Sequence, residues 1–321
     1  MSCNSHSFSP LKRAGDFNLP SPLFHPLLFA IVFQKVAIIG VGLLGGSLGL
    51  AIKQRRLAAS VVGYVRRSAS ISECEKFAVV DHATRDIKRA VENADLVILC
   101  TPLSRMRELS EEMISALKPD AIVTDVGSVK ASIVLELEPL FSKANVRFIG
   151  SHPMAGGEKM GVAAAKSDLF EKAICVVTPT AKSKVTAVKA VEQLWRNVGG
   201  HVVKLSPEVH DELVSRSSHL PHVIAAELAN YVLSPTHAKE QALLCANGFR
   251  DTTRIASGSP EMWRDVATSN QKNLSRVLGI FIEGLEEFRH ALDSGDNKAI
   301  EEFFEKAKQR RDKWRAETSA D

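Results

Sequence analysis

The chain has 321 residues, 45% hydrophobic and 24% charged, the balance of a globular protein with room for about two domains. Its 41 basic and 37 acidic residues leave a net charge of +4, and no Lys/Arg block is interleaved with aromatics, so nucleic-acid binding has no support. The five cysteines (Cys3, Cys74, Cys100, Cys175 and Cys245) show no paired spacing, which suits a reducing, cytoplasmic setting and structural thiols.

Residues 1–33 are rich in Ser, Pro and His up to Pro26 and lack periodicity, and they read as a disordered extension. A misassigned start codon would explain this segment equally well. The apolar stretch at 27–33 is far too short to cross a bilayer and runs on without a small-residue cleavage site, so neither a membrane span nor a secretory signal is expected.

The run Lys35-Val36-Ala37-Ile38-Ile39 then leads into Gly40-Val41-Gly42-Leu43-Leu44-Gly45-Gly46, and a helical pattern follows. Strand, glycine turn and helix in that order make a dinucleotide site. Gly40 permits the turn, Gly42 lets backbone approach a pyrophosphate, and Gly45 lets the helix pack on the strand, with Leu43 and Leu44 opening the helix. The free N–H groups of the helix start would face the phosphates.

From 35 to about 180, apolar runs at 35–40, 61–65, 96–101, 121–125, 146–150 and 174–178 alternate with amphipathic segments such as 104–117 and 129–141. This alternation predicts a parallel sheet covered on both faces, a Rossmann-type α/β domain over 34–203. The second run ends Gly63-Tyr64-Val65-Arg66-Arg67-Ser68. A site selective for NAD places a carboxylate near Val65 to hold the ribose 2′-hydroxyl. Here two arginines and Ser68 stand ready for a 2′-phosphate, so NADP is preferred; NAD stays usable if Arg66 only stacks on adenine.

Three segments fall at carboxyl ends of strands, where such sheets bind ligands. Cys100-Thr101-Pro102 closes one strand and lets Thr101 turn toward the cofactor. Asp125-Val126-Gly127-Ser128-Val129-Lys130 runs from a strand end into a helix start, and Gly150-Ser151-His152-Pro153 puts a histidine at a strand tip. His152 is placed to act as a general base near neutral pH, or is a loop histidine bonded to backbone. Ser128 could orient that imidazole or cap the helix from Val129 onward.

After Val203 the strands stop. Segments 207–233, 238–246, 260–292 and 297–316 carry apolar residues at helical spacing, which predicts an all-helical domain over 204–321. Leu278, Phe281, Ile282, Leu285 and Phe288 form one stripe, fit for its own core or a second subunit. His219 and His222 share a helix face and either line a pocket or satisfy backbone near Pro221; no metal-ligand spacing accompanies them, so no metal is expected. Arg250 and Arg254 also share a face, suited to a dicarboxylate, although ion pairs with Asp251 or Asp265 are the preferred reading from spacing alone.

Taken together, Gly-Val-Gly-Leu-Leu-Gly-Gly-Ser-Leu (40–48), Asp-Val-Gly-Ser-Val-Lys (125–130), Gly-Ser-His-Pro-Met-Ala-Gly (150–156), Ser-His-Leu-Pro-His (218–222) and Phe-Arg-Asp-Thr-Thr-Arg-Ile-Ala (249–256) resemble the prephenate/arogenate dehydrogenase family of tyrosine biosynthesis. The resemblance runs from about Lys35 to the C-terminus. It implies oxidative decarboxylation of prephenate or arogenate with hydride transfer to a nicotinamide. His152 would take the ring-hydroxyl proton and Ser128 would orient it. Arg254 would anchor the ring carboxylate, ahead of Arg250; His219 and His222 would line the pocket, with Glu158 near its mouth. Trp263 would reach across a homodimer interface. Gly157 departs from the polar residue often found at the position that senses the substrate side chain, which leaves prephenate and arogenate both open. The resemblance also implies the monofunctional form, with no mutase segment before and no regulatory domain after. Two alternatives stand beside it. A β-hydroxyacid dehydrogenase would share the plan but calls for a catalytic lysine on the helical side, and none stands out. A nucleotide-sensing protein without chemistry would have no need of Ser128, His152 and Arg254 together.

Overall fold

The computed structural model describes residues 32–157, 159–234, 236 and 238–318. The expectations for residues 1–31 and for Glu158 therefore lie outside the described residues. Eight strands form one sheet: β1 (Phe33–Ile39), β2 (Ala58–Tyr64), β3 (His82–Thr84), β4 (Leu96–Leu99), β5 (Ile122–Asp125), β6 (Arg147–Pro153), β7 (Ile174–Thr178) and β8 (His201–Lys204), in the order β3-β2-β1-β4-β5-β6-β7-β8. Between them lie α1 (Leu43–Gln54), α2 (Ser68–Lys76), α3 (Ile87–Val91), α4 (Leu103–Met113), α5 (Ala131–Lys143) and α6 (Val185–Asn197).

The central strands are apolar at every position because both of their faces are covered. Val36 and Ile38 of β1, with Leu96 and Ile98 of β4, point into one core beneath α1 and α6. Their neighbours Ala37, Ile39, Val97 and Leu99 point into a second core against α3, α4 and α5. The period of two along a strand sends successive side chains to opposite layers.

Three sequence readings need correction. The sheet is not wholly parallel, since β6 pairs with β7 antiparallel from Gly150 to Pro153, after pairing in parallel with β5 through Ile149. β3 and β8 were missed because short edge strands carry little buried apolar pattern; β8 has no fully buried residue. β1 begins at Phe33, which is 6% exposed and belongs to the core rather than to the extension.

The helical part comprises α7 (Pro207–Val214), a π turn (Ser215–His219), α8 (Leu220–Val232), α9 (Ala238–Leu244), α10 (Asn247–Thr253), a 3₁₀ turn (Arg254–Ser257), α11 (Pro260–Ser269), α12 (Gln271–Ser294) and α13 (Asn297–Thr318). The helical segment 260–292 divides at Asn270, and the helical stretch from Asn247 to Ser257 was not anticipated. Serines begin two of these helices: Ser206 accepts the Val209 N–H and Ser259 the Met262 N–H, each followed by proline at the first helical position. The two parts are joined where Ser104 of α4 donates to the Asp265 carboxylate of α11 at 2.5 Å, and where Asp211 of α7 meets the start of α5.

Candidate active site

Strand order reverses between β1 and β4, and the glycine turn opens there. Gly40 has φ +99°, a left-handed conformation that disfavours any side chain. A Cβ at Gly45 would run into the Gly40 carbonyl oxygen, so the helix can start this close only with glycine there. At Gly42 a Cβ would meet nothing within 4 Å, and its open side is the backbone approach that a pyrophosphate requires. Against Gly40, Thr101 has its Oγ1 buried without a hydrogen-bond partner among the described residues. Burial pushes the Cys100 thiol up, so it stays protonated and inert. These residues fit a dinucleotide. At the end of β2, Val65 is buried, Arg66, Arg67 and Ser68 are exposed, and Arg85 joins them by donating to the Arg66 carbonyl (3.2 Å) and to Ser68 Oγ (3.1 Å).

His152 sits within the antiparallel end of β6, which runs on past the expected strand end at Gly150, and the residue is 7% exposed. Its backbone is clamped through Ser151. The Asp125 carboxylate accepts the Ser151 N–H (3.0 Å), and Lys130 Nζ donates to the Ser151 carbonyl (2.9 Å). Asp125 and Lys130 are themselves a buried ion pair, and Asp125 also accepts the Gly127 N–H (2.9 Å). The Asp-x-Gly-Ser-x-Lys segment is thus a clasp at the end of β5 that fixes the strand beside it.

The reading of His152 as bonded to backbone is corrected by its partner. Nδ1 lies 2.9 Å from Nε2 of His210, whose own Nδ1 lies 2.7 Å from the Asp211 carboxylate. Ser128 neither orients the ring through a hydrogen bond nor caps α5: the helix starts at Ala131, and Lys130 holds the cap position. Burial holds the His152 pKa well below the usual histidine value, helped by the nearby His210, Lys130 and His219.

His219, on the π turn, is fully buried, and burial pushes its pKa down to about 4 although Asp211 opposes this. Its Nδ1 lies 3.2 Å from the Asn270 amide, and the Ser128 backbone lies close enough to favour the charged ring, although Nε2 meets no well-formed hydrogen bond among the described residues. Trp263 meets His219 edge-on (6.1 Å) and stacks on His222 at 3.7 Å within the same chain; its Nε1 is also buried and unpartnered. His222 Nδ1 donates to the Ser218 carbonyl at 2.9 Å. Its pKa is lowered by burial, and the charge of Arg254 adds to this. His219, Trp263 and His222 thus form a run of ring contacts, with His152 near enough to one end and Arg254 near enough to the other for their charges to be felt. Arg250 lies exposed on α10. Asp265, a suggested partner for these arginines, is bound to Arg264 (2.7 Å) and Ser104 instead. Gly157 is exposed, and a Cβ there would stand 3.4 Å from Leu43, which brings the segment after His152 over the start of α1.

His210, Asp211, Asn270 and Arg85 were not singled out from the sequence. A signal for the first two existed. Pro207, His210, Asp211 and Val214 are the buried stripe of α7, so two polar residues hold core positions on that helix.

A doubly covered sheet with a glycine turn at its switch point, completed by a helical domain beside the strand ends, defines a pyridine-nucleotide oxidoreductase. The model for the nucleotide-binding domain of prephenate dehydrogenase matches residues 48–204, and that for its dimerization domain matches 206–309. A cyclohexadienyl dehydrogenase from Zymomonas mobilis is 34% identical over 282 residues, covering 87% of this chain and 96% of its own. Prephenate dehydrogenase from A. aeolicus, solved with hydroxyphenyl propionate and NAD+, superposes with a TM-score of 0.78 at 33% identity over 87% of this chain and 98% of that one. Arogenate dehydrogenase from Synechocystis gives a TM-score of 0.74 at 30% identity over 87% and 99%. The chain belongs to the prephenate dehydrogenase family.

Proposed function

We propose that this chain carries out the oxidative decarboxylation of prephenate, arogenate or both, in tyrosine biosynthesis. Family membership sets aside the β-hydroxyacid dehydrogenase and sensor readings. The observation that carries the chemistry is the buried His152 at the end of β6, its pKa held low, with the His219, Trp263 and His222 rings set between it and Arg254. The substrate must lose a hydroxyl proton, a hydride from the same carbon, and a carboxylate as CO2. The ring then becomes aromatic.

His152 accepts the hydroxyl proton at Nε2. Arg254 pairs with a substrate carboxylate, and His222 and Trp263 form the apolar wall against the ring. Nε1 of Trp263, unpartnered among the described residues, offers a polar contact to the substrate, and His219 lines the pocket edge-on to it. Glu158 and Gly157 would lie near the side chain that distinguishes the two substrates. The bound nicotinamide dinucleotide supplies the hydride acceptor. Gly40, Gly42 and Gly45, with Leu43, Leu44 and the Cys100-Thr101-Pro102 segment, would hold it. Val65 offers no carboxylate to a ribose hydroxyl, and Arg66, Arg67, Ser68 and Arg85 favour a 2′-phosphate, so we assign NADP as the preferred cofactor and NAD as the weaker one.

The working unit is a homodimer through the helical domain, supported by the family description of residues 206–309 and by the exposed apolar side chains of α12. The scattered thiols, with Cys74, Cys100, Cys175 and Cys245 unpaired, support a cytoplasmic setting; among the described residues no helix is long and apolar enough to cross a membrane.

Assays of prephenate and arogenate, each with NADP and NAD, test the reading by the appearance of reduced nicotinamide. Turnover of at least one substrate is expected, with kcat/KM higher for NADP. No turnover of either would overturn the function, and a higher kcat/KM for NAD would overturn the cofactor assignment.

A further inference from the structure

Asp211 is anchored at the start of α5. One carboxylate oxygen accepts the Lys130 N–H (2.7 Å) and the other the Ala131 N–H (2.8 Å), so the group faces the positive end of that helix. A carboxylate can only accept, so His210 Nδ1 must be the donor in its 2.7 Å contact with Asp211. In a neutral imidazole that leaves His210 Nε2 with a lone pair. The only hydrogen available for the 2.9 Å contact with His152 is then on His152 Nδ1. His152 is left with its lone pair on Nε2, the nitrogen that makes no hydrogen bond among the described residues. All three side chains are buried, and with Lys130 and His219 also near it an extra proton on the His152 ring is disfavoured in the resting state.

We infer that His210 and Asp211 are positioning residues for the base: through the order Asp211–His210–His152 they fix the His152 tautomer and disperse the charge that forms when it takes a proton. The inference rests on the base role proposed for His152 and goes beyond it. In the reacting step the substrate O–H bond breaks and an Nε2–H bond forms on His152. Its Nδ1–H stays in place, donating more strongly to His210 as the ring becomes an imidazolium. Nothing is transferred to Asp211. After release of product the Nε2 proton returns to water. The opposite arrangement, a charged His210 donating to His152 Nδ1, would put the resting proton on His152 Nε2 and leave no base.

The two arrangements are separable without turnover. In the full chain labelled with 15N-histidine, long-range 1H–15N spectra at neutral pH report which ring nitrogen carries hydrogen, with signals assigned through His152→Asn and His210→Gln. The expected spectrum shows His152 protonated at Nδ1 and bare at Nε2. A His152 protonated at Nε2 would overturn the inference whatever the enzyme turns over. Kinetics supply the second arm. His210→Leu should lower kcat on the order of 10²-fold, since it withdraws the support of a general base, while KM and cofactor Kd hold steady. His210→Gln, whose amide oxygen can accept from Nδ1, should recover part of that loss. A His210→Leu enzyme with normal kcat, or one not improved by Gln, would overturn the relay. Failure of the unaltered chain to use either substrate would instead count against the proposed function, and the spectrum would still be decisive here.

Discussion

A base must be uncharged when its substrate arrives, and burial secures that for His152. Replacing it by asparagine should lower kcat by about 10²–10⁴-fold, the usual worth of a positioned base, with substrate binding largely kept. Near-normal kcat in His152→Asn would exclude the role. The sign of its pKa shift also fixes a pH dependence. Protonation removes the base, and burial together with His210, Lys130 and His219 holds that protonation below the ordinary histidine range. In the unaltered enzyme kcat/KM should therefore be flat from pH 8 through 6.5 and decline only below it; an acid limb centred above 6.5 would contradict the assignment. Arg254 is assigned to the ring carboxylate, which is charged when the substrate docks and leaves as CO2. Arg254→Gln should mainly raise KM, because the anchor is needed to bind that carboxylate before it departs. Steady-state kinetics check this, and an unchanged KM would pass the anchor to Arg250.

Between elements, the decisive feature is the clasp joining the β5–α5 turn to β6. Lys130 and Asp125 are both fully buried, and each holds one side of the Ser151 backbone. Burial lowers the Lys130 pKa even though Asp125 opposes the shift, so this charge depends on its partner. Lys130→Met would strand a buried carboxylate and should cost about 3–5 kcal/mol, the usual penalty for breaking such a pair. Urea denaturation measures it, and a loss below 1 kcal/mol would show that the pair is not what holds β6. Much of this was legible in the sequence. The glycine turn lay between a recognisable strand and helix because local patterning dictates both. His152 was identified at a strand tip, but with the strand ending at Gly150, since nothing in the local sequence announces that β6 continues to Pro153 to pair with a later strand. His210 escaped notice because its use depends on α7 docking beside α5. Ser128 was read as orienting the imidazole, whereas the ring that meets His152 Nδ1 belongs to His210.

At the scale of the molecule, α12 leaves Ile280, Ile282 and Leu285 about half exposed, beside a groove of about 530 Å³ that Phe281 and Phe303 also line. An apolar surface of this kind usually marks an interface, and the proposed homodimer covers it. Leu285→Arg would place a charge at its centre. Light scattering after size exclusion should show a dimer for the unaltered chain and a monomer for the variant; a monomeric parent would remove the homodimer from the proposal.

By itself the sequence determined the layered fold of the first half, the helical character of the second, the site of the glycine turn and the family. These follow from patterns repeated within a few residues of one another, where backbone geometry sets the period. Only the tertiary structure decided which groups surround His152. That choice joins β6 to α7 and the start of α5, which are 58 residues apart at the two histidines. Contacts across such separations are set by how layers pack, and a buried polar group takes whichever partner the packing brings to it.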